Sequence, residues 1–223
     1  MPSGPHPLDP ADAGELTRGV NILRSAGVLS DRAFFAFGQR SEPSRQQLAD
    51  AAEGQDVARI INYVGHDPER GQSFDAHVSL ASDEILDIEW QEHGQAPVTM
   101  NDVVMLYTIL AENEDWIAAL AKRGIDDPSQ VHLEPWITGV HPPEMLTGRV
   151  FRAIAFQQRE PNTNYYAFPI EGLTVLVDVD GGEVAVQDTG VVPVPDRPAE
   201  YTAEGVGGAH RDGLQPLDIT QPD

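Results

Sequence analysis

The sequence contains no cysteine, so histidine and carboxylate side chains are its candidate metal ligands and proton-transfer groups. Seven histidines are present, and none lies two residues from another. An imidazole metal site usually needs two or three converging ligands. The pattern therefore predicts scattered surface histidines, and no metal centre, at positions 6, 66, 77, 93, 132, 141 and 210.

Three carboxylates lie near one predicted hairpin: Glu171, Asp178 and Asp188. Such a group could act as an acid and base pair or bind calcium. However, the chain has 36 acidic residues, so some must lie close together by chance. Alternation places Asp178 on the face opposite the hairpin valines. We therefore interpret all three as solvated or structural carboxylates, and assign no catalytic or cofactor-binding residue.

The hairpin itself is the best-specified element of the sequence. Apolar residues alternate along 173–179 and along 184–186, which is the period of a β-strand. Gly181-Gly182 between the arms suits a two-residue primed turn, because glycine accepts positive φ. The register counted outward from this turn pairs Asp180 with Glu183, Val179 with Val184, and Val177 with Val186.

Helix and strand patterns occur twice along the chain. Asp9-Pro10 predicts a helix over about 10–26, with Asp9 as N-cap, ended by Gly27. Strand patterns follow at 32–39, 57–64, 74–80 and 86–90, with a possible short helix within 41–54. A second group begins with helices near 99–111 and 113–123, followed by strands at about 130–137, 149–158, 165–168, 172–179 and 183–188.

The first helix of the second group has both a start signal and an apolar stripe. Thr99-Met100-Asn101-Asp102 resembles a capping box with Asp in the acidic position. The predicted apolar face comprises Met100, Val103, Val104, Tyr107, Leu110 and Ala111. A break at His93 to Pro97 separates the two groups. The repeated order predicts an α+β fold of two domains, 1–95 and 96–190, and an extended linker over 191–223.

Charge is the most unusual global property of the chain: 36 acidic residues against 14 basic ones give a net charge of −22. Phosphate binding needs a basic face, so a nucleic-acid partner is not expected. Two explanations of the acidity remain. The surface could suit a cytoplasm at high salt, where screening removes self-repulsion, or it could attract cationic substrates. We favour the first.

Neither a membrane span nor a secretion signal is indicated by the sequence. No apolar run approaches the ~20 residues that a membrane span requires, and the start, Met1 to Pro7, lacks the basic and apolar regions of a signal peptide. We therefore expect a cytoplasmic protein without a membrane partner.

The residues at 164–173, Asn-Tyr-Tyr-Ala-Phe-Pro-Ile-Glu-Gly-Leu, resemble the third N-terminal domain of copper-containing amine oxidases. Val177-Asp178, Glu183-Val184 and Asp188-Thr189-Gly190 continue the match. Further similar runs occur in the same order along the chain: His6 to Pro10, Arg123-Gly124-Ile125, Pro135-Trp136, and Pro216 to Pro222. The resemblance thus spans nearly all 223 residues and is to the second and third N-terminal domains of these oxidases.

This resemblance implies two cystatin-like domains, each with a helix packed on a curved antiparallel sheet. The family's enzymes oxidise primary amines to aldehydes, releasing ammonia and hydrogen peroxide. They use copper and topaquinone in a C-terminal catalytic domain and form homodimers through it. Asn164-Tyr165-Tyr166 does not fit the quinone motif Thr-x-x-Asn-Tyr-(Asp/Glu), because Tyr166 replaces the acid and Pro161 the threonine. We predict a structural strand there.

The resemblance also gives two positions a functional interpretation. Tyr166 and Val103 correspond to residues that approach the mouth of the amine channel in related enzymes; the alternative is core packing. The whole chain is then the non-catalytic N-terminal region of such an oxidase. A fragment, a split gene with the catalytic domain on a separate polypeptide, and a pseudogene product are all compatible with it. The alternative from another class is a stand-alone cystatin-like binding module without enzymatic activity.

Overall fold

The computed structural model describes residues 6–92, 94–138, 146, 148–160, 163–196, 202, 207 and 213. These residues form two four-stranded antiparallel sheets, each preceded along the chain by a helix. Within each sheet, strands that follow one another in sequence are neighbours. The predicted α+β class with two helix-and-sheet units is therefore confirmed. Most of the predicted linker after 196 lies outside the described residues.

The first unit contains a four-stranded sheet, one helix that packs on it and one short helix. Its elements are α1 (Ala13–Ser25), β1 (Phe34–Arg40), α2 (Arg45–Ala52), β2 (Ile60–Asp67), β3 (Gln72–Ser79) and β4 (Glu84–Gln91). The turn between β3 and β4 places Asp83 at φ 57°. The short helix that the sequence allowed within 41–54 is present as α2.

Helix α1 begins three residues later than the sequence predicts. Its N-cap is Asp12, whose carboxylate accepts from Glu15 N at 2.8 Å, while the Glu15 carboxylate accepts from Asp12 N at 3.1 Å. Asp9 instead accepts a hydrogen bond from His6 N at 2.7 Å. The prediction of Asp9 as N-cap was wrong because the reciprocal capping box at Asp12 satisfies two amide groups.

Helix α1 lies unusually close to the sheet at Gly19. The buried Tyr63 ring of β2 occupies the space that a side chain at residue 19 would take, and a Cβ there would lie 2.7 Å from Tyr63 Cε2. The Tyr63 hydroxyl donates to Leu16 O at 2.6 Å. Leu23 completes the contact with the apolar cluster of β2 and β3. Glycine at 19 therefore fixes the distance between helix and sheet.

The second unit contains two helices and a sheet of the same topology. Its elements are α3 (Met100–Ala111), α4 (Glu114–Ala121), β5 (Val131–Ile137), β6 (Val150–Gln157), β7 (Leu173–Asp178) and β8 (Val184–Asp188). Strand β5 is an edge strand and contains Pro135. The strand predicted at 165–168 is absent; Tyr165–Ala167 form a 3-10 turn in which the Asn164 side chain accepts from Tyr166 N.

The capping box that opens α3 is confirmed. The predicted apolar face of the helix is right for Leu110 and Tyr107, which lie in or against the core, but wrong for Met100 and Val104. Thr99 Oγ1 accepts from Asp102 N, and the Asp102 carboxylate accepts from Thr99 N. The buried line of α3 is Asp102, Leu106 and Leu110. Met100 and Val104 are 75% and 58% exposed. The buried aspartate sets which face of the helix turns toward the core. The pattern of apolar residues alone does not reveal this orientation.

The β7–β8 hairpin has a longer loop than predicted, and its register differs by two residues. Val177 pairs with Val184 and Val175 with Val186. The loop is closed by Gly182 N donating to Asp178 O at 2.8 Å, while Val179 N donates to Arg149 O at 3.1 Å. A shift of two residues leaves every side chain on its predicted face. The prediction of a primed two-residue turn was wrong, because Val179 bonds to Arg149 in place of pairing with β8.

Asp178 does lie opposite the valines, but that face is covered and not solvated. Leu146, Val150 and Leu176 form a small buried cluster there, and Asp178 itself is buried. Burial raises the pKa of its carboxyl group, although the amides of Asp180 and Gly181 donate to it and oppose the rise. Asp178 is thus a structural carboxylate that orders the hairpin loop.

A buried arginine joins the two units. Arg149 is fully buried; its guanidinium makes two hydrogen bonds of 2.8 Å to the Asp102 carboxylate and donates to Ala96 O and Pro97 O at 3.0 Å. It also lies 5.5 Å from the ring centroid of Phe34 in the first unit. One side chain therefore holds the first turn of α3, the connecting segment and the first sheet.

Two further contacts cross the same junction. His66 Nε2 of β2 lies 2.6 Å from Asp180 Oδ2 in the β7–β8 loop. Ser73 Oγ of β3 accepts from Ala96 N at 2.8 Å and is 3.2 Å from His66 Nδ1. We call these residues, with Arg149 and Asp102, the junction.

Replacement of Gly19 by alanine tests the close contact of α1. Overpacking against Tyr63 costs about 1–3 kcal/mol, and the Tyr63 hydrogen bond is strained as well, whereas alanine gains about 1 kcal/mol of helix propensity over glycine. We expect Gly19→Ala to lower the free energy of unfolding by about 1–2 kcal/mol, measured by urea denaturation. Asn21→Ala, at an exposed position of the same helix, should not destabilise. Equal stabilisation by both changes would contradict the contact.

Replacement of Asp102 by asparagine tests the junction. Burial alone would raise the pKa of Asp102, but hydrogen bonds from Arg149 and Thr99 outweigh it and hold that pKa below its ordinary value. The resulting stabilisation is complete above the unfolded pKa near ~4 and is lost as the pH falls through the lower folded pKa. At pH 7, Asp102→Asn leaves Arg149 buried without a counter-charge, which costs about 3–5 kcal/mol.

Urea denaturation at pH 7 and near pH 3 measures this effect. The difference between wild type and Asp102→Asn should shrink at the lower pH, since below the unfolded pKa the unfolded wild-type chain takes up a proton and the advantage of the charged pair decreases. Asp31→Asn, at an exposed position, is the matched control and should change stability little at either pH. A loss at pH 7 no larger than that of the control would show that the pair does not stabilise the junction.

Candidate functional site

The described histidines do not converge on a site. His6 is exposed, and His77 and His132 are half-buried near separate carboxylates. His66 is buried in the junction, so the prediction of a surface position was wrong for this residue. His93, His141 and His210 lie outside the described residues. Sequence spacing gave no sign of the burial of His66, because its partner Asp180 is far away in the chain.

The three carboxylates near the hairpin each occupy a separate environment. Glu171 is exposed, and Asp178 orders the hairpin loop. Asp188 accepts from Arg123 at 2.8 Å and from Lys122 at 3.1 Å, which hold its pKa well below the ordinary value. In the part of the chain that the structure describes, no group of three or more histidine, aspartate or glutamate side chains could hold a metal ion.

The structure brings together a group of aromatic residues around one carboxylate on the outer face of β5. We call it the Glu134 cluster; it comprises His132, Glu134, Phe156, Tyr165 and Tyr166. His132 and Glu134 lie two residues apart on β5 and so share a face, and His132 pairs directly with Phe156 of β6. The 3-10 turn after Asn164 brings both tyrosines onto this face.

The hydroxyl groups and ring of the cluster all point to one oxygen of Glu134. Tyr166 Oη donates to Glu134 Oε1 at 2.6 Å, Tyr165 Oη is 3.3 Å from the same atom, and His132 Nε2 is 3.2 Å from it. Tyr165 stacks on His132 with ring centroids 3.8 Å apart, and Tyr166 meets Phe156 edge to face at 5.0 Å. Ring packing thus positions the donors.

These contacts keep Glu134 ionised. The hydrogen bond from Tyr166 is the main reason that the pKa of Glu134 lies below its ordinary value; partial burial opposes it, and His132 and Tyr165 add to the lowering. The same hydrogen bond raises the pKa of Tyr166. The cluster is therefore a fixed anion bordered by aromatic rings at neutral pH.

The sequence-predicted site residues lie apart from one another. Tyr166 belongs to the Glu134 cluster and is 51% exposed. Val103 is half-buried on α3 and makes no described hydrogen bond or ring contact with the cluster. Tyr107, one turn after Val103, links the helix to β5, because its hydroxyl accepts from Leu133 N at 2.8 Å. The structure thus does not bring Tyr166 and Val103 together in one site.

An open groove of about 770 Å³ lies in the first unit, away from the Glu134 cluster. Leu48, Ala51 and Leu80 provide apolar walls. Its main charged groups are already paired with each other, since the Arg59 guanidinium binds the Glu15 carboxylate and three backbone carbonyl oxygens. Size alone does not make this groove a site, because a ligand site also needs convergent polar groups, and Arg59 and Glu15 are already engaged with each other.

Family models match the two units in succession. A model described as AGAO-like N2 domain matches residues 12–88, and one for the copper amine oxidase N3 domain matches residues 101–204. The chain carries the N2 and N3 domains of the copper amine oxidase family. Sequence recognition of these domains from the 164–173 run and its companions is confirmed.

Relatives match these N2 and N3 domains along nearly the whole chain. A histamine oxidase of Arthrobacter globiformis is 32% identical over 98% of this chain and 32% of its own length. A primary amine oxidase of Klebsiella aerogenes is 26% identical over 98% of this chain and 29% of its own. The chain therefore spans about a third of the length of these curated relatives.

Solved structures support the fold of the two domains. The crystal structure of a copper-containing benzylamine oxidase from Hansenula polymorpha aligns with a TM-score of 0.72 at 18% identity, over 98% of this chain and 37% of that one. At that identity the likeness shows the fold alone. No helix among the described residues is long and apolar enough to cross a membrane.

Copper and topaquinone, which the family name and its members imply, do not fit the residues described in these N2 and N3 domains. Asn164 and Tyr165 lie in a 3-10 turn, and the Tyr165 ring is stacked on His132. The absence of a group of three candidate metal ligands among the described residues agrees with this. No step of copper or quinone chemistry is therefore assigned to them.

Glu134 is the residue of the site that sequence reasoning missed. Period-two alternation along the predicted strand 130–137 places His132, Glu134 and Trp136 on one face, and that signal was available. The approach of Tyr165 and Tyr166 could not be predicted, because the sequence pattern at residues 165–168 is typical of a strand. Only the turn at Asn164 brings the two hydroxyl groups to the carboxylate.

Replacement of Tyr166 by phenylalanine tests the electrostatics of the cluster. The ring remains, but the principal hydrogen bond to Glu134 is lost, so the pKa of Glu134 should rise toward its ordinary value. Carbon-detected NMR titration of the carboxyl groups measures this pKa. Tyr165→Phe is the matched control and should raise it less, because the Tyr165 hydroxyl is farther from Oε1. An unchanged Glu134 pKa in Tyr166→Phe would show that the contact is not formed.

Proposed function

We propose that this chain forms the non-catalytic N-terminal region of a copper- and topaquinone-dependent primary amine oxidase. The intact enzyme would convert primary amines to aldehydes with release of ammonia and hydrogen peroxide. A catalytic domain, on the same or on a separate polypeptide, would supply the copper, the quinone and the contacts of a homodimer. The proposed division of this chain is 1–95, 96–190 and a linker over 191–223.

The observation that carries this proposal is the succession of the two domain matches. An N2 match at 12–88 is followed by an N3 match at 101–204 in one chain, and relatives named as amine oxidases align with both over 98% of it. The residue types also support it. The described residues provide a packed junction and aromatic surfaces, and they contain no group of three or more side chains that could hold copper.

Exposed apolar side chains on α3 are candidate contacts for the catalytic domain. Met100, Val104 and Met105 are exposed although a helix in an isolated domain would normally turn such residues inward. Under the same proposal, Tyr166 and Val103 border the entrance to the amine channel. The exposure of Tyr166 and its contacts with Glu134 and Phe156, which fix its orientation, support this role.

The acidity of the chain is consistent with a cytoplasm at high salt, and we propose this location for the enzyme. A net charge of −22 with Lys122 as the single lysine would oppose folding at low ionic strength. Screening over ~3 Å at 1 M salt would remove that repulsion.

The urea concentration at the midpoint of unfolding should then rise as potassium chloride is added.

Coexpression with the polypeptide encoded downstream tests the proposed function. If that polypeptide carries the quinone motif and a His-x-His pair, purification through a tag on this chain should yield a complex that stains for quinone and produces hydrogen peroxide from a primary amine. Val104→Asp should weaken that association, since it places a charge on the proposed contact surface. Leu86→Asp, at an exposed position of β4, is the matched control.

The stand-alone binding module predicts a different result. This chain would then be recovered without a partner, and no peroxide would form with any primary amine in the presence of the downstream polypeptide. Amine oxidation by this chain alone, with stoichiometric copper, would overturn the non-catalytic role under both interpretations.

A further inference from the structure

The loop between β7 and β8 contains an Asp-Gly pair, Asp180-Gly181, whose aspartate belongs to the junction. An aspartate followed by glycine can cyclise, because the next amide nitrogen reaches the side-chain Cγ and glycine has no Cβ to hinder the approach. The product is a five-membered succinimide ring. When water opens this ring at the main-chain carbonyl, isoaspartate results, and the backbone then continues through the former side chain.

The oxygen that cyclisation must expel lies against a proton donor. Asp180 Oδ2 is 2.6 Å from His66 Nε2, and an ionised carboxylate only accepts, so the hydrogen of this contact is on the imidazole. Ser73 Oγ lies 3.2 Å from Nδ1 and holds the ring from its other side. Histidine is the side chain that most often transfers protons in catalysis. His66 is thus placed to protonate the leaving oxygen.

The attacking amide lies against a proton acceptor. Gly181 N donates to the Asp178 carboxylate, to which the Asp180 amide also donates at 3.0 Å. The approach is so close that a Cβ at residue 181 would lie 2.7 Å from Asp178 Oδ2. Burial raises the pKa of Asp178, which makes its carboxylate a stronger base than an exposed one. The nucleophile therefore has a base beside it.

Folding alone brings the donor and the acceptor to the same peptide bond. His66 is on β2 of the first unit, whereas Asp178 ends β7 of the second. Both side chains are buried. Groups held in this way act within one molecule and need no encounter in solution, which is how positioned acids and bases accelerate a reaction. A short peptide with the sequence of the loop has no such donor.

We propose that Asp180-Gly181 is a self-modification site, at which His66 as acid and Asp178 as base promote cyclisation. The bond from Gly181 N to Asp180 Cγ forms, and the bond from Cγ to Oδ2 breaks. The amide proton passes to Asp178, and Oδ2 leaves as water with that proton and one from the imidazolium of His66. Water then opens the ring, and the proton released by the new carboxyl group restores the imidazolium.

Isoaspartate at position 180 removes a contact that crosses the junction. The main chain gains one methylene group, and the remaining carboxylate is attached directly to Cα. It is then too short to reach His66 Nε2 as the Asp180 side chain does. The modification therefore weakens the contact between the two units, and it requires neither a cofactor nor a catalytic domain.

Incubation of the 223-residue chain in water labelled with oxygen-18 tests the site. Each passage through the succinimide adds one labelled oxygen, so mass spectrometry of peptides measures turnover at Asp180 whether aspartate or isoaspartate is formed. The reference is a synthetic peptide of residues 179–183 in the same buffer at neutral pH. We expect the folded chain to take up label at least about tenfold faster than the peptide. An equal or lower rate in the folded chain would overturn the proposal.

Conservative variants separate proton transfer from positioning. His66→Gln can still donate a hydrogen bond to Asp180 but cannot act as an acid, and Asp178→Asn can still accept from the loop amides but cannot act as a base. Each should slow labelling by about tenfold or more. His77→Gln, at a half-buried position of β3, is the matched control and should leave the rate unchanged. Rates in the first two variants equal to that of the control would show that neither side chain takes part.

Folding is checked independently of the reaction. Far-ultraviolet circular dichroism shows whether each variant is folded, and the comparison of the wild-type chain with the peptide needs no variant. Electron-transfer mass spectrometry distinguishes isoaspartate from aspartate at position 180 in aged samples. The modified chain should unfold at a lower urea concentration than the fresh chain. An unchanged urea midpoint in a fully modified sample would overturn the effect on the junction.

Discussion

The bidentate pair between Arg149 and Asp102 is the interaction on which the rest of the structure depends. Both side chains are buried, and a buried charge is tolerated only when its partners satisfy it. Here the guanidinium also satisfies two carbonyl oxygens of the segment that connects the two units. The position of α3, the path of the connection and the place of Phe34 are thereby fixed by one side chain.

Local signals in the sequence predicted the elements well, but not the contacts between them. The capping box at Thr99, the strands of both sheets and the faces of the hairpin valines follow from short-range rules. The rotation of α3, the burial of His66 and the longer hairpin loop do not. Each depends on a partner distant in sequence: Arg149 for Asp102 and for Val179, and Asp180 for His66.

The candidate site also contains one part that local sequence patterns predict and one part that they do not. Alternation along β5 is enough to group His132, Glu134 and Trp136, whereas the tyrosines arrive through an irregular turn set by one asparagine side chain. The family motif at 164–173 marked this segment as important, but it did not give its shape. Family recognition and physical periodicity therefore supplied different and complementary parts of the site.

Pro135, in the middle of the edge strand β5, has a consequence for how other molecules can approach this sheet. Proline has no amide hydrogen, so an incoming strand that tried to extend the sheet past β5 would lack one donor and meet the pyrrolidine ring. Sheet augmentation and edge-to-edge aggregation are disfavoured on this side. The side chains of Trp136 and Tyr166 on the outer face of β5 remain exposed, whereas the backbone edge of this strand is a poor template for a further strand.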